Sequence, residues 1–367
     1  MRPAFLSEMR LKRQRRLQGG PTAASKTSRS RVAPGRKPTS SDLHAQTVSE
    51  KVVRHPDLSP TGPSTRKRSA LPLVAEIKRN SLDDGPGIRS VVFFKGCRLR
   101  CVWCHNPECI HPGQEVLYRA QTCIRCGSCV KVCRSEAIGA GGPAEMDRAR
   151  CDLCGLCAEE CPTGAITLVG RAYTPRALAD LLTLDKAFYD NSGGGVTLSG
   201  GEPTLFLDYT AALARILKMR GIRVLIETCG DFEWSRFESH LLPDIDQVFV
   251  DLKILDNSLH LHYAGRSNGR IKDNIRRLVR LPTPKTLVRI PLIPEITTTR
   301  ENLEAISRWL RRAGVTRIAL LPYNPLWIGK AKGLGRSLRY ARDQWMPREE
   351  RDQIKKIFQG FEFERDI

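Results

Sequence analysis

Residues 89–104 read RSVVFFKGCRLRCVWC, and this stretch decides the fold of the chain. Its first part, 89–95, is rich in β-branched and aromatic residues, which is typical of a buried β-strand. Directly afterwards, Cys97, Cys101 and Cys104 form a C-x3-C-x2-C loop. Three thiolates can hold three irons of a four-iron cubane and leave the fourth iron open. An open metal position is what catalysis requires, whereas fully ligated metals are usually structural or carry electrons.

The rest of the chain alternates between strand and helix patterns. Strands are predicted at 195–199, 222–227, 248–252, 286–292 and 317–321, and helices at 207–220, 268–280, 300–313 and 348–359. With 89–95, this makes six strands joined by helical crossovers, which predicts an α/β fold with an open, partial (β/α)6 barrel. Barrel enzymes perform their chemistry at the carboxyl ends of the strands, where the cysteine loop stands.

Two further cysteine runs share the spacing C-x2-C-x2-C-x3-C. They are Cys123, Cys126, Cys129 and Cys133, then Cys151, Cys154, Cys157 and Cys161. Bacterial two-cluster ferredoxins have this pattern, and in them the fourth cysteine of each run binds the other cluster. The pattern therefore predicts that Cys161 completes the first [4Fe–4S] cluster and Cys133 the second. Because both clusters are fully ligated, we expect them to carry electrons.

The composition limits the remaining possibilities. Twelve of the thirteen cysteines lie between Cys97 and Cys161 at short spacings, which favours metal binding over disulfides. The formal net charge is +21, but residues 1–70 hold sixteen Lys and Arg against four Asp and Glu. The charge therefore describes an N-terminal extension, and we expect no nucleic-acid partner. With no apolar run of about 18 residues and no secretory signal, we expect no membrane association and a cytoplasmic location.

The sequence divides into four parts. Residues 1–70 are rich in Arg, Ser, Pro and Thr and are predicted to be disordered, although an organelle-targeting segment or an over-long start would look the same. Residues 71–111 begin the barrel domain and contain the cysteine loop. Residues 112–170 form the predicted ferredoxin insert, and residues 171–367 complete the barrel.

The cysteine loop and the sequence Gly200-Gly201-Glu202 after a later strand together resemble the radical S-adenosylmethionine superfamily. The resemblance implies that Cys97, Cys101 and Cys104 bind a [4Fe–4S] cluster whose open iron is chelated by the methionine end of S-adenosylmethionine. It also implies that Trp103 lies near the adenine and that the Gly-Gly-Glu segment receives the methionine amino group. Cys109, in the nearby C-H-N-P-E-C, is interpreted as a bystander.

The segment 84–89, Asp-Gly-Pro-Gly-Ile-Arg, directly precedes the first strand and resembles glycyl radical enzyme activating enzymes. With the other motifs, the resemblance covers about residues 75–340. The residues that it assigns to S-adenosylmethionine at later strand ends are Glu227, Asp251, Lys253, Arg289 and Asn324. The two acids could also hold a monovalent cation. Many of these enzymes have a ribose-contacting His where Asn324 stands, and Cys229 is interpreted as a packing residue.

The implied reaction is reductive cleavage of S-adenosylmethionine to methionine and a 5′-deoxyadenosyl radical. That radical would take a hydrogen from a backbone glycine of a glycyl radical enzyme. Flavodoxin or ferredoxin would supply the electron, and oxygen-sensitive clusters imply an anaerobic setting. The insert is similar to that of activating enzymes for glycerol and choline lyases, arylacetate decarboxylases and fumarate-adding synthases. A radical enzyme with another substrate and an iron–sulfur electron carrier are the alternatives.

Deletion of residues 1–70 is expected to leave folding and cluster content intact, because their composition cannot bury enough apolar surface to offset the entropy of ordering. Iron content and cluster absorbance of the truncated and full-length proteins test this. An insoluble truncated protein, or one without cluster absorbance, would show that the extension is structural.

Overall fold

The computed structural model describes residues 71–364, and the predicted extension at 1–70 lies outside them. The strands are β1 (Leu73–Ser81), β2 (Arg89–Phe94), β3 (Glu115–Tyr118), β4 (Ile166–Val169), β5 (Arg171–Ala172), β6 (Gly195–Gly200), β7 (Val224–Thr228), β8 (Gln247–Asp251), β9 (Lys285–Leu292), β10 (Arg317–Pro322) and β11 (Glu362–Phe363). The helices are α1 (Ser128–Lys131), α2 (Leu156–Glu159), α3 (Pro175–Thr183), α4 (Lys186–Ser192), α5 (Leu207–Met219), α6 (Trp234–Arg236), α7 (Asn257–Ala264), α8 (Gly269–Leu278), α9 (Arg300–Arg312), α10 (Trp327–Gly333) and α11 (Arg348–Ile357). None of these helices is both long and apolar enough to span a bilayer.

The main sheet confirms the predicted α/β fold. Its strand order is β11-β10-β9-β8-β7-β6-β2-β1-β5, so the six predicted strands are neighbours in chain order. All five pairings from β2 through β10 are parallel. The sheet does not close on itself, because β11 and β5 form its two edges. Strand β1, antiparallel to β2, was not among the predicted strands, although its apolar and polar residues alternate in burial.

The parallel strands are buried on both faces of the sheet, and successive residues of a strand point to opposite faces. On β7, Val224 and Ile226 belong to the large core cluster that includes Leu213 of α5. Leu225, between them, packs with Phe249 on the opposite face of the sheet. This period of two is why the strands read as continuous apolar runs in the sequence. Helices cover the first face, and the second lines the hollow of the open barrel.

The Asp-Gly-Pro-Gly-Ile-Arg segment connects β1 to β2 and is hydrogen-bonded to β6. Arg89 is 2% exposed, and its guanidinium donates to Thr197 Oγ1 at 2.6 Å and to the Val196 carbonyl at 2.7 Å. Thr197 Oγ1 in turn donates to the Asp84 carbonyl at 2.7 Å. Gly87 has φ +70°, and a Cβ there would meet the backbone of Gly194 at 2.5 Å, so this turn requires glycine. Burial lowers the pKa of Arg89 to about 10, and the buried hydrogen bonds compensate its charge.

The predicted insert forms its own small structure. Strands β3 and β4 pair antiparallel and bracket the two cysteine runs. Within that bracket, Val116, Ile138 and Ile166 form a separate apolar cluster with Cys129 and Cys157.

A buried lysine fixes the insert to the barrel. Lys95, at the end of β2, is 0% exposed, and its Nζ donates to Glu115 Oε2 of β3 at 2.9 Å and to the Glu108 carbonyl. Arg336 donates to the other oxygen of Glu115 at 2.8 Å. A buried ammonium requires such partners, because desolvation otherwise costs several kcal/mol.

Glu115→Gln is expected to lower the free energy of unfolding by about 3 kcal/mol, because it leaves Lys95 buried without a counter-charge. The midpoint of urea denaturation, followed by circular dichroism, measures the effect. Glu304→Gln, which removes an exposed i,i+4 partner of Arg300 on α9, is the matched control and should leave the midpoint unchanged. A wild-type midpoint for Glu115→Gln would contradict the assignment.

Candidate active site

A cavity of about 200 Å³ lies at the carboxyl ends of the parallel strands. Its wall includes the predicted residues Cys97, Cys101, Trp103, Cys104, Gly200, Gly201, Glu227, Asp251, Lys253 and Arg289. His105, Asn106, Ser199 and Thr228 also line it and were not predicted from the sequence. The three-cysteine loop thus faces the ends of β7, β8 and β9 across one cavity.

The backbone of the cysteine loop is held from outside the cavity. The Arg100 N–H donates to the Ala264 carbonyl at 2.8 Å, and the Val102 N–H donates to the Tyr263 carbonyl at 3.1 Å. Both acceptors lie at the carboxyl end of α7, whose last carbonyl groups lack partners within the helix. The loop is therefore anchored through its backbone, and the Cys101 thiol remains available to the cavity.

The donor set fits an iron–sulfur cluster. Burial raises the pKa of the Cys97, Cys101 and Cys104 thiols, in the case of Cys104 to about 12. Without a metal, these thiols are protonated and neutral, and a bound cation deprotonates its thiol ligands. Three soft thiolates beside an open cavity suit an incompletely ligated cluster.

His105 is a site residue that sequence reasoning missed. It follows Cys104 and lines the cavity, and its Nε2 is buried without a hydrogen-bond partner among the described residues. Burial, followed by the charges of Lys253 and Lys330, lowers the pKa of His105 to about 4, so the ring is neutral. The signal in the sequence was its place directly after the third cysteine.

Four alternating charges join the strand ends opposite the cysteines. The Arg289 guanidinium contacts Glu227 through Nη1 and donates through Nε to Asp251 Oδ1 at 2.8 Å. Lys253 Nζ donates to Asp251 Oδ2 at 2.7 Å, and Ser199 Oγ donates to Glu227 Oε2 at 2.7 Å. Each charged side chain is at most 17% exposed. The cavity wall therefore carries two positive and two negative groups with no net charge.

The network keeps Asp251 ionised. Burial by itself raises the pKa of Asp251, but Arg289 and Lys253 outweigh it and hold that pKa below its usual range. Arg289 lies between Glu227 and Asp251, where the sequence suggested a monovalent cation. A cation shared by these carboxylates would have to displace the guanidinium.

Glu202 does not line the cavity, although it was predicted to contact the cofactor. It is 0% exposed, and its Oε1 accepts from the Thr204 N–H at 3.1 Å and Thr228 Oγ1 at 2.8 Å. Its Oε2 accepts from the Cys229 N–H at 2.8 Å. The carboxylate therefore ties the turn after β6 to the turn after β7. It is placed to position the cavity wall.

The glycines before Glu202 allow two backbones to touch. A Cβ on Gly201 would lie 2.1 Å from the Gly96 carbonyl oxygen and 2.6 Å from that of Cys109. The Glu202 N–H donates to the same Gly96 carbonyl at 2.8 Å. Close packing of β6 on the cysteine loop thus depends on the absence of a side chain at Gly201.

Three other candidates have different surroundings. Asn324 is half-buried outside the cavity lining, and its Oδ1 accepts from the Leu326 N–H at 3.3 Å. Cys109 is buried behind the loop and does not line the cavity, in line with its interpretation as a bystander. Cys229 is 7% exposed and lines the cavity beside Thr228.

The insert brings together one of the predicted crossed ligand sets. A second cavity, of about 340 Å³, is lined by all four cysteines predicted for the first cluster: Cys123, Cys126, Cys129 and Cys161. Cys133 is absent from this lining. Burial, followed by Cys151, Cys154, Cys133 and Cys129, raises the pKa of the Cys157 thiol to about 11, so cysteines of both runs lie near Cys157. The lining groups Cys161 with the first run, and the assignment of Cys133 to the second cluster stays a prediction.

Glu202→Gln is expected to lower the free energy of unfolding by about 1–3 kcal/mol, because an amide NH2 would face a hydrogen-bond donor whichever way it is turned. Urea denaturation measures the change. Glu238→Gln, an exposed change, serves as the control and should be neutral. An unchanged stability for Glu202→Gln would show that its hydrogen bonds do not support the site.

Comparison with known families agrees with this geometry. The Radical SAM superfamily model matches residues 150–317, and the 4Fe-4S dicluster domain model matches residues 122–165. The first match begins within the insert and after the C-x3-C-x2-C loop, and it includes β6 to β9.

Curated relatives cover most of the chain. The trans-4-hydroxy-L-proline dehydratase activating enzyme of Clostridioides difficile is 37% identical over 81% of this chain and 99% of its own length. The benzylsuccinate synthase activating enzyme of Thauera aromatica is 38% identical over 74% of this chain and 84% of its own. The isethionate sulfite-lyase activating enzyme of Oleidesulfovibrio alaskensis is 40% identical over 71% of this chain and 86% of its own length. With its cysteine loop, charged strand ends and dicluster insert, the chain belongs to the radical S-adenosylmethionine family of glycyl radical enzyme activating enzymes.

Proposed function

We propose that this protein holds three [4Fe–4S] clusters and uses S-adenosylmethionine to generate a glycyl radical in a partner enzyme. The observation that carries the proposal is the single cavity that combines three thiols with the Glu227–Arg289–Asp251–Lys253 network. When bound, the cluster at these thiols supplies the electron that breaks a carbon–sulfur bond of S-adenosylmethionine. The other residues of the site would bind S-adenosylmethionine, orient it and exclude water from it.

The charged network suits the methionine end of the cofactor. A zwitterionic amino acid needs both a cationic and an anionic partner, and the network presents both signs to one cavity. We assign Lys253 and Arg289 to its carboxylate and Glu227 and Asp251 to its ammonium group. Because the four side chains neutralise one another, they remain charged and ordered when buried.

Other residues shape the remainder of the cofactor site. Trp103 is 3% exposed in the cavity wall and offers an apolar ring for the adenine. His105 Nε2, buried without a partner among the described residues, is placed to hydrogen-bond a polar group of the cofactor. The role predicted for Asn324 at the ribose would require its side chain to leave the Leu326 N–H. Glu202 acts as a positioning residue through Thr228 and Cys229.

A hollow next to the active-site cavity is the candidate site for the protein substrate. It has a volume of about 360 Å³ on the inner face of the sheet and is lined by the apolar residues Phe249, Leu287 and Ala319 and by the charged residues Asp83, Arg351 and Glu364. Arg289 and Leu321 line both this hollow and the active-site cavity. The hollow is thus adjacent to the reactive centre, and we infer that it receives the glycine-bearing segment of the partner.

The insert clusters are assigned to electron relay, since all four ligand positions of each are filled by cysteine. Flavodoxin or ferredoxin is proposed as the donor, and a reducing, anaerobic cytoplasm as the setting that preserves the clusters. The relatives act on different partners, and those compared above are 37–40% identical to this chain, so their names indicate the class of partner and not its identity.

The anaerobically reconstituted protein is expected to bind about twelve irons, and each single variant Cys97→Ala, Cys101→Ala or Cys104→Ala about eight. Those variants should also form no 5′-deoxyadenosine with dithionite and S-adenosylmethionine, since each loses one of only three thiolates at the reactive cluster. Cys109→Ala is the matched control and should cleave the cofactor normally. Four irons per chain, stoichiometric zinc, or cleavage by a loop variant would refute the proposal.

A glycyl radical signal in electron paramagnetic resonance tests the choice of substrate. The probes are the three glycyl radical enzymes named by the relatives, each mixed with this protein, dithionite and S-adenosylmethionine. We expect a glycyl radical in at least one, and none in a partner whose radical glycine is replaced by alanine. Cofactor cleavage without a glycyl radical in any of the three would exclude them as partners, and other glycyl radical enzymes would have to be tested before a different class of substrate is considered.

A further inference from the structure

The two cysteine loops of the insert match in spacing but differ in the groups beside their sulfurs. Residues 123–129 read CIRCGSC, and residues 151–157 read CDLCGLC. In the first loop, Ser128 Oγ lies 3.5 Å from Cys126 Sγ. The corresponding residue of the second loop is Leu156, which has no hydrogen-bonding group.

Backbone contacts add to the difference. In the first loop, the Arg125 N–H donates to Cys123 Sγ at 3.4 Å. In the second, Asp152 accepts from the Cys154 N–H at 3.1 Å and so places a carboxylate beside a ligand cysteine. The first loop therefore offers donors to its sulfurs, whereas the second holds a negative group next to one of them.

Two other contacts are alike in both halves and do not distinguish them. Cys133 Sγ lies 3.8 Å from Ser135 Oγ, and Cys161 Sγ lies 3.8 Å from Thr163 Oγ1. Asp152 is exposed, so solvent screens its charge, and that charge acts in the same direction as the missing donor at Leu156. Ser128 against Leu156 is thus the main difference.

We propose that the two insert clusters have different reduction potentials, that the cluster bound by Cys123, Cys126, Cys129 and Cys161 has the higher one, and that Ser128 sets the difference. This rests on the two fully ligated clusters of the proposed function. While its thiol is protonated, Cys126 donates to Ser128 Oγ. A ligand thiolate has no proton and can only accept, so the Ser128 hydroxyl then donates to it. Each cluster gains one electron on reduction, and a donor to its sulfur stabilises the added negative charge.

Ser128 therefore stabilises the reduced form of the first cluster, and Leu156 has no group that could do the same for the second. A single electron that enters the insert therefore resides on the first cluster before the second is reduced.

The experiment is a redox titration with dithionite, followed by electron paramagnetic resonance of the full-length chain. To isolate the insert clusters, Cys97, Cys101 and Cys104 are replaced by alanine in every sample. The parent should show two one-electron waves. Ser128→Ala should lower only the upper wave, by about tenfold in the oxidised-to-reduced ratio, or about 59 mV. Leu156→Ser should raise only the lower wave by a similar amount.

Ser135→Ala assigns the waves, because Cys133 belongs to the second cluster and its loss of a donor should lower only the lower wave. Movement of the lower wave by Ser128→Ala would overturn the order of the potentials. Waves that neither Ser128→Ala nor Leu156→Ser moves would overturn the role of the hydroxyl. Iron analysis separates the two proposals: about eight irons with unmoved waves defeats only this inference, whereas fewer irons defeats the cluster composition as well.

Discussion

The Arg289 guanidinium joins three strands at one level of the sheet, and the geometry of the active site depends on this contact. Arg289 on β9 is in register with Asp251 on β8, and it reaches across to Glu227 on β7. Buried charges are stable only as a set, because the removal of one leaves its partners desolvated and unpaired. The ends of β7, β8 and β9 are thereby fixed relative to one another, with Lys253 completing the network.

The opposite wall is built without charge, from backbone contacts. The cysteine loop is held in place by hydrogen bonds to the end of α7 and by its packing against the end of β6, where Gly201 lies against the Gly96 carbonyl. Glu202 then connects this wall to the end of β7 through Thr228 and Cys229. Because both walls converge on β7, the three thiols and the charged network keep a constant separation. Such preorganisation is what a site requires to hold one cofactor by both its ends.

The insert is attached to the barrel by polar contacts at its base. Arg148 donates to the Val116 carbonyl of β3 and to the Gly333 carbonyl at the end of α10, both at 2.7 Å. Lys95 and Arg336 hold Glu115 on the same strand. Lys95 lies two residues before Cys97, so the contact that anchors the insert also borders the reactive loop. The proposed electron relay would benefit from this arrangement, because transfer between clusters depends on a fixed distance.

The six parallel strands, the three cysteine motifs and the family could all be predicted from the sequence. These features are local, because a strand, a loop spacing or a helix repeat depends on residues that are neighbours in the chain. Five described helices of the barrel, α3, α4, α6, α7 and α10, were not predicted, although Thr174 and Pro175 supply an N-cap and a first-turn proline for α3. Only the tertiary structure decided the roles of the polar residues. Glu202 and Arg289 stand at equally promising strand ends, yet one is buried beneath the cavity and the other bridges two acids within its wall. Residues far apart in sequence set those partners, as they do for His105, whose unpaired nitrogen depends on what surrounds it in space.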